Sequence, residues 1–416
     1  MKKLSILLIG VLIAVTANSQ QFEEDKIDGS SFGKVNAWIG ADFAMQYQSL
    51  DMVGTMADGS DFMPLGSGLN LPSANLNIYG DLAPGMRVRL TTFLSSRHHN
   101  DTWVKGGYLL IDQAPFLNSE LFNKIMKDLT LKIGVMEINY GDGHFRRSDN
   151  ANVIRNPFVG NYIMDAYTTA PALEAMFRNH GWIAMAAATS GALKPQIVGY
   201  TDNGDENQTA ADFTTYSMFK ELGFYGKFGF DKQLDKDIRL RVTVSPYLQA
   251  KSYGGTLYYG DRAGARFYSV MEPASLGSAA TDITSNAFNG RWGPGTFTKD
   301  NSVMLNTFLK VKGFELFGLL ENAQGDNSSG NFNYTQFAAD ALYRFGKTDQ
   351  FYVGGKYNIV SNDNDEKAHR TELAGGWFLT RNVLAKLEYV NQKYNTRKYS
   401  DGAGFKGVMF EAGISL

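Results

Sequence analysis

From Lys406 to Leu416 the chain reads KGVMFEAGISL, a strict apolar/polar alternation. Val408, Phe410, Ala412, Ile414 and Leu416 fall on one side of an extended strand, and Gly407, Met409, Glu411, Gly413 and Ser415 on the other. The same period of two recurs from about Val35 onward. It predicts sixteen strands, near 34–49, 73–81, 86–97, 103–112, 129–138, 172–179, 182–194, 214–230, 238–250, 302–312, 314–322, 332–345, 350–360, 368–379, 383–393 and 405–416. Each strand carries one apolar and one polar face, so each has to separate two environments.

The connections come in two kinds. Tight ones lie at Ala83–Gly85, Asn179–Gly181, Lys312–Gly313, Gly346–Asp349 and Thr380–Asn382, always between an even strand and the odd strand that follows. Long polar ones, near 51–68, 199–213 and after Lys251, fall at the opposite end. Two connections depart from this: His98–Asp101 is short at the long-loop end, and Gln113–Asp128 is long at the tight-turn end, with apolar spacing that predicts a small helix. A soluble sandwich has no reason to keep such parity, whereas a barrel crossing a bilayer does. Beyond the N-terminal leader no stretch approaches the roughly 18 apolar residues of a membrane helix, so only a closed barrel could satisfy every backbone group in lipid. The expected fold is therefore all-β: a transmembrane antiparallel β-barrel of about 16 strands (14–18), with short periplasmic turns and long extracellular loops. Composition agrees, with 44 Gly, 28 Phe and 21 Tyr against 10 Pro.

The first twenty residues, MKKLSILLIGVLIAVTANSQ, place Lys2 and Lys3 before an apolar run from Leu4 to Val15, then Ala17 and Ser19 at cleavage spacing. This predicts a secretory signal peptide over 1–19, cut before Gln20 or Gln21, and one barrel domain over 20–416. No cysteine occurs, which excludes a lipid anchor on an N-terminal Cys, disulfides and thiol chemistry. The formal charge of −2 becomes −4 when Lys2 and Lys3 leave and gives no footprint for nucleic acid.

Charged positions locate the wet face. In DIRLRVTVSP, Arg239 and Arg241 oppose Ile238, Leu240, Val242 and Val244. An arginine facing lipid at mid-depth costs about 2–4 kcal/mol, so the arginines must point inward. The same reasoning turns Arg87, Arg89, Lys132, Lys227, Lys356, Lys386 and Glu388 inward and makes them candidate pore-lining residues. Sixteen strands enclose a bore wide enough for water. Between two strands, residues 140–171 carry Phe158, Tyr162, Ile163 and Met164, side chains of little use in a loop that stays in solvent. Folded into the bore, this segment would be a constriction loop aiming Arg146, Arg147 and Arg155 across it; 251–301 reads as a long extracellular loop.

At KIGVMEINYGDGHFRRSDNANVIRNP the chain resembles outer-membrane porins, particularly the porin-like proteins of Bacteroidota and the phosphate-selective porin group. The resemblance implies a water-filled, often trimeric, 16-stranded barrel of the cell outer membrane whose third external loop narrows the pore. The chain departs from it in ending on Leu416, where many such barrels end on Phe or Trp. The expected function is passive diffusion of small hydrophilic solutes with a weak anion preference. The alternative is a closed or plugged barrel acting as a structural or binding subunit of a larger outer-membrane secretion or uptake complex. Expected partners are outer-membrane lipid and lipopolysaccharide, small polar or anionic solutes, and copies of the chain itself.

No cofactor and no enzymatic activity are expected. Nothing beside His98, His99, His144, His180 or His369 has the pattern of a triad, and Gly141–Gly143 lacks the frame of a phosphate loop. Asp202 with Asp205, and Asp363 with Asp365, are weak calcium candidates, offering clustered oxygens without the EF-hand spacing.

Overall fold

A computed structural model describes residues 20, 22–23, 35–70, 72–95, 102–149, 152–192, 199–200, 213–214, 222–252, 254–260, 264–281 and 289–416. The leader 1–19, His98–Asp101, Asp202 and Asp205 lie outside the described residues. Within them sixteen long strands follow one another: β1 Asn36–Val53, β2 Ser73–Ala83, β3 Met86–Ser95, β4 Thr102–Ile111, β5 Leu129–Glu137, β6 Thr169–Asn179, β7 Trp182–Thr189 and β8 Gly223–Asp235. The second half comprises β9 Ile238–Gln249, β10 Lys299–Val311, β11 Phe314–Asn327, β12 Gly330–Phe345, β13 Phe351–Asn362, β14 Lys367–Thr380, β15 Val383–Asn395 and β16 Gly404–Ser415. Every neighbour in sequence is an antiparallel neighbour in the sheet. The sheet closes because β1 pairs on one edge with β2, Ile39 opposite Ile78, and on the other with β16, Tyr47 opposite Phe410. The structure is a closed 16-stranded antiparallel barrel.

The boundaries differ from expectation where charge crosses a hairpin. β8 runs to Asp235, past the expected stop at 230, because Asp231 on its inner face accepts from Arg239 Nη2 and Nε, at 2.8 and 2.9 Å, across the turn to β9. Its beginning also shifts: Phe213–Thr214 pairs with Gly199–Tyr200 as a separate ribbon, and β8 starts only at Gly223. β11 and β12 extend into a hairpin whose ends, Asn327 and Gly330, face each other. The Gln113–Asp128 connection holds the expected small helix, Glu120–Ile125, preceded by a single 3-10 turn at Pro115–Leu117.

The outer surface is apolar. Val408, Phe410, Ile414 and Leu416 are exposed while Met409 and Glu411 are buried, and the same rule runs round the barrel through Leu305, Leu316, Phe337, Val353, Leu373 and Leu387. So much exposed apolar surface is compatible with lipid as its solvent, not water. At the tight-turn end Tyr343, Phe345, Phe351 and Trp377 stack in a ladder with successive ring separations of 6.3, 5.6 and 5.9 Å. Trp182, beside the tight turn from β6 to β7, stacks on Phe228 at 5.7 Å. Aromatic girdles of this kind mark the level where hydrocarbon gives way to headgroups. The interior is polar wall plus folded chain, and that is where the candidate site lies.

Candidate functional site

Past β5 the chain turns inward, and residues 138–149 and 152–168 cross the interior of the barrel, held at one end by a carboxylate. Asp142 accepts from Lys227 Nζ (2.8 Å), from Arg241 Nε and Nη2 (both 2.8 Å) and from Thr243 Oγ1 (2.6 Å). Its backbone N–H donates to Asn306 Oδ1 at 2.8 Å. β8, β9 and β10 thus converge on one residue of the loop. Burial pushes the Asp142 carboxyl up, but the two cations beside it outweigh that and hold it well below the usual carboxylate range.

Further along, the opposite wall supplies the partners. Arg146 reaches Asp340 on β12 (2.8 Å), and Val159 N–H donates to Glu388 Oε2 on β15 (2.6 Å). Ile163 N–H donates to Asn358 Oδ1 on β13 at 2.8 Å, and Gln336 Nε2 on β12 donates to the Met164 carbonyl at 2.7 Å. Lys386 Nζ gathers three loop carbonyls, those of Val153, Asn156 and Phe158, at 3.2, 3.0 and 2.8 Å, and also pairs with Glu411. Lys356 takes the Gly160 carbonyl at 2.9 Å and Glu372 at 2.8 Å. Gly160 itself has no room for a side chain: a Cβ there would lie 2.2 Å from Glu372 Oε1 and 2.7 Å from Phe267 Cζ.

The described part of 251–301 also turns inward and packs on the first loop. Trp292 N–H donates to the Ile163 carbonyl (2.9 Å), Tyr167 N–H to that of Leu257 (2.8 Å), and Arg266 pairs with Glu411 on β16. Phe267 lies under the Arg370 guanidinium at 4.7 Å. These two segments fill the side of the barrel formed by β8 to β16.

A cavity of about 140 Å³ lies between the first loop and the wall from β1 to β5. The wall contributes Asp42, Asn75, Asn77, Arg89, Thr91, Lys105, Tyr108 and Lys132; the loop contributes Asn139, Arg147, Asp149, Asn152 and Arg155. Both signs of charge face this space, which suits hydrated solutes.

The sequence-derived candidates divide accordingly. Arg89, Lys132, Arg147 and Arg155 line the cavity, Arg89 donating to Asn77 Oδ1 at 3.3 Å. Arg87 is bound to Asp81 at 2.7 Å near the tight-turn end, and Arg239 to Asp231. Lys227, Arg241, Lys356, Lys386 and Glu388 are buried against loop backbone and carboxylates. Arg146 and Arg147 do not both reach across the bore as expected: Arg147 folds back on Asp165 of its own loop, with bonds of 2.7 and 2.8 Å. That pairing is invisible to strand periodicity, because both residues sit in irregular backbone. Two further residues, Phe22 and Glu23, also line the cavity. Their one signal in sequence is an aromatic next to an acid just past the expected cleavage point.

Asp363 and Asp365 occupy the short β13–β14 turn, organised by Asn362 Oδ1, which accepts from the amides of Asn364 and Glu366 at 3.0 and 3.1 Å. Among the described residues no group of three His, Asp or Glu is arranged to hold a metal ion there or elsewhere.

Compared with solved structures, the chain is similar to an anion-selective porin from Comamonas acidovorans, at 12% identity and a TM-score of 0.54, over 92% of this chain and 100% of that one. It is also similar to OprB of Pseudomonas putida, at 11% identity and a TM-score of 0.52, over 92% and 94% of the two chains. No protein-family model and no curated protein matches it. At these identities the likeness shows the fold, a barrel of the outer-membrane type.

Proposed function

We propose that the chain is an outer-membrane porin without enzymatic activity, through which small hydrophilic solutes diffuse passively. The observation that carries this reading is the charged cavity left between the inward loop and the β1–β5 wall, inside a barrel whose exterior suits lipid. The loop is its constriction. Among the described residues the cavity lining carries five cations, Arg89, Lys105, Lys132, Arg147 and Arg155, against four carboxylates, Glu23, Asp42, Glu137 and Asp149, a slight basic excess that supports a weak preference for anions. Supporting it are two structural neighbours, one named as anion-selective and both of the same fold. The stretch from Lys132 to Pro157 extends the reading to the porin-like proteins of Bacteroidota and the phosphate-selective group. We further read the barrel as a homotrimer, as the resemblance to porins implies; the outward residues Ala184, Ala186 and Ala188 of β7 leave a face of small side chains on which a second copy can pack.

Planar-bilayer recording of the purified protein in a salt gradient tests this. Stepwise conductance with a reversal potential on the anion side is expected. A silent bilayer containing folded, heat-modifiable protein would refute it and leave the plugged-subunit alternative.

A further inference from the structure

Ahead of β1, Gln20, Phe22 and Glu23 lie inside the barrel at its tight-turn end. The Glu23 carboxylate takes both terminal nitrogens of Arg241, at 2.7 and 2.8 Å, with Lys227 Nζ at 3.9 Å. Phe22, 4% exposed, lies under the guanidinium groups of Arg241 (4.2 Å) and Arg239 (5.2 Å) and edge-on to Phe145 (5.6 Å) and Phe308 (5.5 Å). Gln20 Nε2 donates to the Phe145 carbonyl at 2.8 Å, while its own carbonyl accepts from Arg239 Nη1 at 2.7 Å. Arg241 serves three carboxylates at once, its Nε and Nη2 turned to Asp142, its Nη1 and Nη2 to Glu23, and its Nη1 also to Asp231 at 3.0 Å.

We infer that Arg239, Arg241, Lys227, Phe145 and Phe308 form a binding site for a carboxylate carried beside an aromatic ring, and that the chain's own Phe22–Glu23 is its resident ligand. The recognition is complete in chemical terms. A two-nitrogen guanidinium contact selects a carboxylate, two cations stacked on the ring select an aromatic, and two edge-on phenyl groups fix the ring's plane. No other described segment of the interior presents that pair. Because the ligand is tethered, it competes with free solutes at an effective concentration in the millimolar range. Phe22 and Glu23 also border the 140 Å³ cavity, so the occupied site narrows the passage; this second consequence rests on the porin reading, whereas the docking itself does not.

The test uses the full mature chain and its Phe22→Ala/Glu23→Gln variant in detergent, with a labelled synthetic peptide of residues 20–25, QQFEED, as probe. By fluorescence anisotropy the peptide is expected to bind the variant about tenfold more tightly than the wild type, whose site is filled. A Glu→Gln peptide at the position of Glu23 should lose about tenfold. Equal binding to both proteins, no binding to either, or indifference to that glutamate would overturn the site. Heat-modifiable electrophoretic mobility certifies the folded barrel, and the single Glu23→Gln chain takes the place of the double variant should the latter misfold. In planar bilayers the variant should conduct more than the wild type; equal conductance overturns the narrowing. Silence of both proteins counts against the porin reading, and the anisotropy still decides the site.

Discussion

Asp142→Asn tests whether one loop residue anchors the interior. The amide keeps the shape but turns a carboxylate that accepts four hydrogen bonds into a group with one acceptor and a donor facing two cations. Removing one partner of a buried ion pair costs about 3–5 kcal/mol. The lower end applies, about 3 kcal/mol, because Glu23 and Asp231 still face Arg241. Equilibrium urea unfolding in phospholipid vesicles, followed through the five tryptophans, reads this directly. The pH dependence is a second signature. Because Asp142 is held below the ordinary carboxylate range, its contribution is fully present above about pH 3.9 and is lost only as pH falls through the lower folded value. The gap between wild type and variant should therefore be flat from pH 8 to about pH 4.5 and close in stronger acid. A gap under about 1 kcal/mol, the scale of an exposed pair, would mean that lumen water already screens the cluster. A gap that narrows between pH 7 and pH 5 would show that some other group holds the loop.

Reversing the charge of two wall cations on the cavity, Arg89→Glu with Lys132→Glu, should move the reversal potential toward cations; an unchanged potential removes both from the conduction path. Lys386→Met strips the cap from the carbonyls of Val153, Asn156 and Phe158, and is expected to expose 153–158 to added protease and to raise conductance noise. Leu373→Arg, midway along β14, should cost about 2–4 kcal/mol in folding, and Leu379→Arg near the tight-turn end no more than about 1, so equal penalties in a vesicle folding titration would misplace the membrane. Gly160→Val should disorder the loop even though no hydrogen bond is removed, visible as lost protease protection of 152–168.

Much of the barrel is legible in the sequence because lipid outside and water or folded chain inside impose a period of two on every strand. Arg241 and Val242 alternate along β9, and so do Lys386 and Leu387 along β15, and no other arrangement keeps guanidinium and ammonium groups out of hydrocarbon. Strand ends were less legible, since Asp231 and the polar run from Asn322 to Asn327 look like loop until their cross-strand partners are known. The interior was least legible. That 140–171 has something to bury can be read from Phe158, Ile163 and Met164; that Asp142 meets Lys227 and Arg241 cannot, because irregular backbone carries no periodicity to set a side chain's direction. The tail at Phe22 and Glu23 was missed for the same reason.

The partners of the inward loop come late in the chain. Ile163 waits for Asn358, 195 residues on, Val159 for Glu388, 229 residues on, and the Val153 carbonyl for Lys386, 233 residues on. A chain emerging N-terminus first makes this loop long before the strands that hold it, and closing such distances is entropically slow. The same measure puts the seam between β1 and β16, with Asp42 against Ser415 and 373 residues apart, later still, so the wall that holds the loop is made before the barrel closes. A barrel assembled in that order is narrowed from the moment its seam seals, because the loop is already seated on β13 and β15.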